Sequence, residues 1–171
     1  EQDSESIIRN SIVNAGDSVH SFKMPRKNHV LGQWVQYGGL YPDWEYRLFK
    51  KSRGLWWDRE VHSRVIVHGK IGLLNTHLIH HGMPNISKQL SNLDRYTRYE
   101  ADQLKKKTKR FSYFKWLFGP PLIFFKRYIY LQGFRDGWRG FFLAVYAGFY
   151  FFLSQAKLLE METLKLRKSP N

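Results

Sequence analysis

The chain has 171 residues, enough for one domain with a real core or a small domain with an appendage. With 28 Lys and Arg against 14 Asp and Glu it carries a net charge of +14, which favours anionic partners such as nucleic acid, anionic lipid or phosphorylated small molecules. The absence of cysteine excludes disulfides, a thiol nucleophile and any zinc site built on thiolates.

In chain order, "SESIIRNSIVN" (residues 4–14) predicts a short helix. Ser4 or Ser6 caps it, Ile7, Ile8 and Ile12 form its apolar face, and Gly16 and Asp17 end it. Val19, Phe22 and Met24 suit a strand, with Pro25 marking its end or an edge. Residues 28–43 read as a loop punctuated by Gly32, Gly38, Gly39 and Pro42, and "EYRLFKK" as a short strand. "REVHSRVIV" alternates: Val61, Ser63, Val65 and Val67 share one face, and His62, Arg64, Ile66 and His68 the other. A turn at Gly69-Lys70 predicts that it pairs with "IGLLNTHLIHH" as a hairpin.

After Pro84 the apolar period becomes helical, with Leu90, Leu93, Thr97, Ala101 and Leu104 on one face, Asn85 or Ser87 as the cap and "KKKTKR" at the far end. Residues 111–153 are crowded with aromatic rings and interrupted by cations. The charge-free run from Gly140 to Leu153 spans about 21 Å as a helix, short of the roughly 30 Å hydrocarbon core. A helix lying in the membrane interface, or re-entrant, is therefore expected, flanked by Arg135, Arg139 and Lys157. The tail "KLRKSPN" is expected to fray. High aromatic content with basic charge also describes single-strand nucleic-acid binders, but no nucleic-acid-binding motif accompanies it.

The order "MPRKNHVLGQWVQYGGLYPDWEYRLFKK", "REVH", "HLIHH" and "GFRDGWRGFFLAVYAGFYFFLSQAKLLE" resembles one group within glycosyltransferase family 2, the bacterial enzymes similar to lipopolysaccharide-core β-glucosyltransferases. Gly38–Lys50 and Gly133–Leu159 carry the resemblance most specifically. It implies an α/β GT-A fold, of which this chain is the C-terminal part: residues 1–84 the acceptor side of the catalytic domain, residues 85–171 a helical, basic and aromatic membrane-associating tail. The chain begins at Glu1 and holds no Asp-x-Asp motif, so the nucleotide-binding half and its metal motif are expected upstream, with Glu1 as a candidate last residue of that motif. The fragment alone is expected to transfer no sugar.

The resemblance further implies an inverting transfer of a hexose from a nucleotide-sugar donor to a lipid-linked or lipopolysaccharide-like acceptor. A divalent metal (Mg2+ or Mn2+) is expected in the full-length enzyme, which would sit peripherally on the cytoplasmic face of the inner membrane. Asp43, after Pro42, is a candidate general base or ligand for acceptor hydroxyls, or else an Asx-turn cap. Arg47 is a candidate phosphate fork or holder of Asp43 or Glu45, or a surface ion pair. Tyr41, Trp44 and Trp34 could stack on a sugar or simply pack, and Gly38 and Gly39 allow a close approach of backbone to substrate, or only a turn. His62 is a candidate metal ligand or diphosphate contact. It is followed by Ser63 where the family usually has Glu, and Glu60 would lie on the other strand face. His77, His80 and His81 read as packed or solvated, although His80 matches a family histidine. Rival readings are a non-catalytic basic membrane-binding module and a single-strand nucleic-acid binder.

Overall fold

The computed structural model describes residues 2–15, 18–49, 54–57, 64–67, 69–107 and 109–167; residues 2, 3, 54–57, 64–67 and 165–167 are described by backbone alone. The architecture is mixed α/β. Helix α1 (Gln2–Ala15) precedes seven strands: β1 (Val19–Val30), β2 (Gln33–Trp34), β3 (Asp43–Phe49), β4 (Gly54–Trp57), β5 (Arg64–Val67), β6 (Lys70–Leu73) and β7 (Leu78–Met83). Helices α2 (Ile86–Lys106), α3 (Tyr113–Phe125) and α4 (Gly137–Arg167) follow. A π-helical turn (Lys126–Tyr130) and a 3-10 turn (Gly133–Asp136) join α3 to α4.

Strand β1 organises the main sheet. It pairs antiparallel with β2 and β3 and parallel with β6 and β7. The strand runs straight through Pro25, which the sequence reading placed at its end or on an edge, is paired on both sides, and absorbs the first residues of the expected 28–43 loop. The hydrogen-bond directions explain this. Lys23 O accepts from Leu74 N at 2.8 Å, so two residues on Pro25 also faces the β6/β7 side. There β6 pairs as far as Lys23 and β7 begins at Arg26. The missing proline donor therefore falls in the gap between two strands, where no ladder bond is lost.

Among the described residues the expected hairpin does not form. Strand β5 pairs with β4 in a separate two-stranded antiparallel sheet, Leu55 opposite Ile66. "IGLLNTHLIHH" splits into β6 and β7, which lie end to end along β1. Alternation had fixed which residues share a face, but it does not choose the partner strand.

Two apolar clusters hold the sheet. Val19, Phe22, Met24 and Leu74 pack with Ile8 and Ala15 of α1 and with Leu48 and Leu78. Val30, Val35 and Met83 pack with Leu31, Leu40, Phe142 and Leu143, which seats α4 on the far end. Of the predicted α1 face, Ile8 reaches the core and Ile12 is exposed.

Helix α2 forms as its pattern predicts. Asn85 caps it, accepting from Lys88 N at 2.7 Å, and Leu93, Thr97 and Ala101 are buried, while Leu90 stays half exposed. It lies along α4: Tyr150 OH donates to Tyr96 O at 3.2 Å, and Lys157 Nζ donates to Asp94 Oδ1 at 2.7 Å and Thr97 Oγ1 at 2.8 Å. The Lys157 ammonium holds the Asp94 carboxyl below its usual range.

Helix α3 packs antiparallel on the other flank of α4. Trp116 stacks on Phe152 at 4.9 Å, and a Cβ at Gly148 would lie 2.9 Å from Pro120 O. The charge-free run is thus the middle of a 31-residue helix about 46 Å long, not a short isolated segment. Gly133–Leu164 is long and apolar enough to cross a membrane by length and composition. Trp138, Phe141, Val145 and Phe149 form an exposed stripe on α4 at helical spacing. No residue of α3 is buried, and Phe114, Leu117, Phe118, Leu122 and Phe125 are exposed.

Candidate functional site

Pairing across β1 decides which side chains meet. Arg26 lies opposite Asp43, Met24 opposite Glu45, and Asn28 opposite His80. Arg26, Asn28, Asp43, Glu45, Arg47 and His80 therefore share one sheet face, between the α1-covered cluster and the α4-covered cluster. Asp43 is the first residue of β3, after a cis Tyr41–Pro42 peptide.

Three donors converge on Asp43 Oδ2: Arg26 Nε at 2.9 Å, Arg26 NH2 at 2.5 Å and Asn28 Nδ2 at 2.9 Å. Arg26 NH1 also reaches Glu45 Oε1 at 3.2 Å. The Arg26, Asp43 and Glu45 side chains are 22%, 33% and 35% exposed, so the cluster is anchored yet open to a solute. His80 is held below the ordinary imidazole pKa, first by burial and then by the charges of Arg26 and Arg47, against the opposing pull of Asp43 and Glu45. At neutral pH it is an uncharged ring with one acceptor nitrogen.

Other candidates lie elsewhere. Trp44, next to Asp43 in β3, takes the opposite sheet face. Trp34, opposite His29, lies there too. Tyr41 meets Trp34 edge-on at 5.4 Å, and its hydroxyl shares a 2.9 Å hydrogen bond with His77 Nε2. Lys27 Nζ sits 4.5 Å over the Trp34 ring, while burial and then the Lys27 charge hold His77 below its usual pKa. Arg47 is exposed on the Asp43 face. His62, Ser63, Glu60 and Glu1 lie outside the described residues. Among the described residues no group of three or more His, Asp or Glu side chains is arranged to hold a metal ion.

The Gly38–Gly39 turn belongs to a clamp that the sequence did not reveal. Asp136 Oδ1 accepts from Gln36 N at 3.1 Å and Oδ2 from Tyr37 N at 2.7 Å. Gly38 N donates to Leu131 O at 2.9 Å, and Arg127 NH1 donates to Gly38 O at 3.2 Å. Arg139 Nε donates to Val30 O and its NH2 to Leu31 O, each at 3.2 Å. Gly38 and Gly39 have φ of +68° and +77°, the left-handed region, and a Cβ at Gly39 would lie 2.9 Å from Leu131 Cδ1. Asn28 joins this turn to the polar cluster, since its Nδ2 also donates to Leu40 O at 3.3 Å.

Arg26, Asn28 and Asp136 were absent from the sequence-based candidates. The i, i+2 spacing of Arg26 and Asn28 would have flagged the first two had β1 been carried through Pro25. No local signal marks Asp136, whose partners lie about a hundred residues away.

No family model matches the chain, and no solved structure matches it. Among curated proteins the chain is similar to the lipopolysaccharide core biosynthesis glycosyltransferase LpsC of Rhizobium meliloti (strain 1021). The two are 26% identical over 155 residues, which is 90% of this chain but 57% of that relative, so the chain spans little more than half of its length.

Proposed function

We propose that this chain is the acceptor-side and membrane-associating part of a glycosyltransferase, acting in lipopolysaccharide-core-like synthesis. The observation that carries this is the likeness to LpsC across 90% of the chain. The Asp43 cluster supports it chemically. A sugar acceptor must be held by a hydroxyl, oriented, and relieved of a proton. Asp43 offers an oriented carboxylate, fixed through Oδ2 by Arg26 and Asn28. His80, neutral beside it, is the second proton-accepting group on that face. Arg47, exposed on that face, supplies positive charge for a departing phosphate.

The transfer in this reading is inverting and moves a hexose from a nucleotide sugar within a GT-A fold. A divalent metal, Mg2+ or Mn2+, would neutralise the leaving diphosphate. The described residues offer no ligand set for it, and Arg26 already neutralises Asp43 and Glu45, so the metal's ligands are expected from the rest of the enzyme.

The helices support an interfacial seat at the cytoplasmic membrane face. The exposed stripe of α4 and the bare side of α3 offer apolar surface. Helix α2 runs beside α4 from Tyr150 to Lys157 and exposes Arg95 and Arg98 there. A full crossing would carry those cations into hydrocarbon, at about 3 kcal/mol each near the bilayer centre. Lying flat, with α2 on the water side, avoids this cost.

The test is transfer of labelled hexose from nucleotide-sugar donors to lipopolysaccharide-core acceptor by the complete gene product in membranes. Transfer that depends on Asp43 supports the proposal. A protein that binds membranes and never transfers sugar returns the chain to a non-catalytic membrane-binding module.

A further inference from the structure

A cavity of about 550 Å3 lies between the Gly38–Leu40 turn, the start of α2, and the α3–α4 layer. That size suits a small organic ligand. Ile123, Leu143 and Phe151 give it apolar walls, and Gln89, Arg127 and Tyr146 bring polar groups to it.

One of those polar groups lacks the counter-charge that burial demands. Arg127 is half-buried and donates to Gly38 O, yet among the described residues no carboxylate lies within ion-pair distance of its guanidinium. A desolvated cation without a counter-charge is unfavourable unless an anion joins it. The Tyr146 hydroxyl is enclosed beside the Gln89 amide, and burial raises it above the ordinary tyrosine pKa. Lys126 adds a second cation to the lining, and no acidic residue is among the lining residues. Tyr146 and Tyr150 present rings to the same space.

The position narrows the occupant. Leu143, Ala147 and Tyr150 lie on the side of α4 opposite the exposed stripe of Trp138, Phe141, Val145 and Phe149. The cavity therefore faces the sheet, not the apolar outer surface. Leu40 lines it, and Asn28 bonds both Leu40 O and Asp43. A ring with one anionic group fits that place, with its carbon face against Ile123, Leu143 and Phe151 and its charge toward Arg127 and Lys126.

We propose that this cavity binds a phosphorylated saccharide, the head of the acceptor, with the phosphate on Arg127 and Lys126 and the sugar ring against Tyr146 and Tyr150. This rests on the glycosyltransferase reading, and it makes Arg127 and Tyr146 acceptor-binding residues beside the Asp43 cluster.

The test follows modification of Arg127 by phenylglyoxal, mapped by peptide mass spectrometry on the chain in phosphatidylcholine nanodiscs. The probes are glucose 6-phosphate, glucose and inorganic phosphate. Glucose 6-phosphate should protect Arg127 at a concentration roughly tenfold below that of inorganic phosphate, the scale of one or two added hydrogen bonds, and glucose should not protect. Lys126→Met should raise the glucose 6-phosphate requirement about threefold to tenfold and leave the melting temperature unchanged, because Lys126 lines the cavity and is exposed. Equal protection by inorganic phosphate would reduce the cavity to a plain anion site and overturn the proposal. So would an Arg127 that reacts only after the lipid is replaced by detergent, which would make the occupant a bilayer lipid. No donor is present, so binding without any later transfer by the complete enzyme would refute the glycosyltransferase reading and keep the ligand assignment.

Discussion

The Asp136 carboxylate accepts the Tyr37 amide N–H at 2.7 Å across 99 residues of chain. With its other oxygen on Gln36 N, it ties the segment before the Gly38–Gly39 turn to the 3-10 turn that starts α4. The two stretches most specific to the family resemblance meet next to this clamp, where a Cβ at Gly38 would lie 3.8 Å from Gly133 Cα. The helical layer sets the position of the turn that leads into Asp43.

Asp136→Ala should free both amides at once. Bonds from backbone N–H to a carboxylate contribute about 1.5–3 kcal/mol each, so a loss of roughly 3–6 kcal/mol is expected. Hydrogen exchange is the direct measurement: Gln36 and Tyr37 should lose protection, and Asp136→Asn should lose less because one acceptor remains. Unchanged exchange at Tyr37 would show that the clamp does not hold the turn.

Gly140 permits the close approach of α4 to the turn before it. A Cβ there would lie 1.8 Å from Gly133 O, which is rigid backbone. Gly140→Ala should therefore cost about 3 kcal/mol or more, or block folding. Gly32→Ala is the control, with nothing within 4 Å of its Cβ and a φ of +80°, and should cost only about 1 kcal/mol of backbone strain. Thermal melts of the two variants decide the order.

In the complete enzyme, Asp43→Asn should lower kcat by roughly a hundredfold, the scale of a lost general base. Arg26→Met should also lower it, by loosening the Asp43 carboxylate, since Arg26 gives two of the three bonds to Oδ2. His80→Asn should shift the acid limb of the pH–rate profile. A change under about threefold for Asp43→Asn, with fold intact, would leave Asp43 as a strand-pairing residue.

His77 and His80 make stability pH-dependent. Both have folded-state pKa values below the ordinary 6.5, so the unfolded chain binds more protons in the window beneath 6.5. Their contribution is complete above 6.5 and is lost as pH falls through it. Melting temperature should drop between pH 7.5 and 5.5, and the drop should shrink in His77→Asn/His80→Asn. Asp43, Glu45, Arg26 and Arg47, the charges that face His80, are kept in the double variant, which therefore isolates the imidazoles. A drop of equal size in the double variant would assign it to other groups.

Membrane attachment should follow the outer face of the helical layer. The chain should float with liposomes containing anionic lipid, and high salt should weaken binding, as the basic residues and +14 charge imply. Leu122→Glu/Phe149→Glu should reduce flotation at least about tenfold, because both side chains are exposed on the apolar surface and would enter the lipid boundary as charges. A cysteine after Lys165 should stay open to a reagent added outside. Protection of that cysteine inside the vesicle would show that α4 crosses.

Local chemistry made several elements legible in the sequence. Asn85 followed by a helical apolar period fixed the start and buried face of α2, because capping and periodicity act within one or two turns. The polarity of the Gly38–Lys50 stretch pointed to Asp43 and Arg47 before any partner was known. Composition also marked α3 and α4 as apolar and cation-flanked.

What the tertiary structure decided was pairing. Alternation placed Val65 and His62 on opposite faces but could not say that β5 would pair with β4, or that β6 and β7 would lie in parallel along β1. Pro25 looked like a strand end or an edge position until the gap between β6 and β7 took its missing donor. The charge-free run looked too short for a membrane crossing until the helix continued to Arg167, with α2 packed on its polar part at Lys157. The sites follow the same division. The Pro42 turn and the family resemblance nominated Asp43, whereas Arg26, Asn28, His80, Arg127 and Asp136 gained their partners only where distant segments met. Periodicity is a property of neighbours along the chain, while register and clamps are set by burial and hydrogen bonding between segments far apart in sequence, and no local pattern encodes those distances.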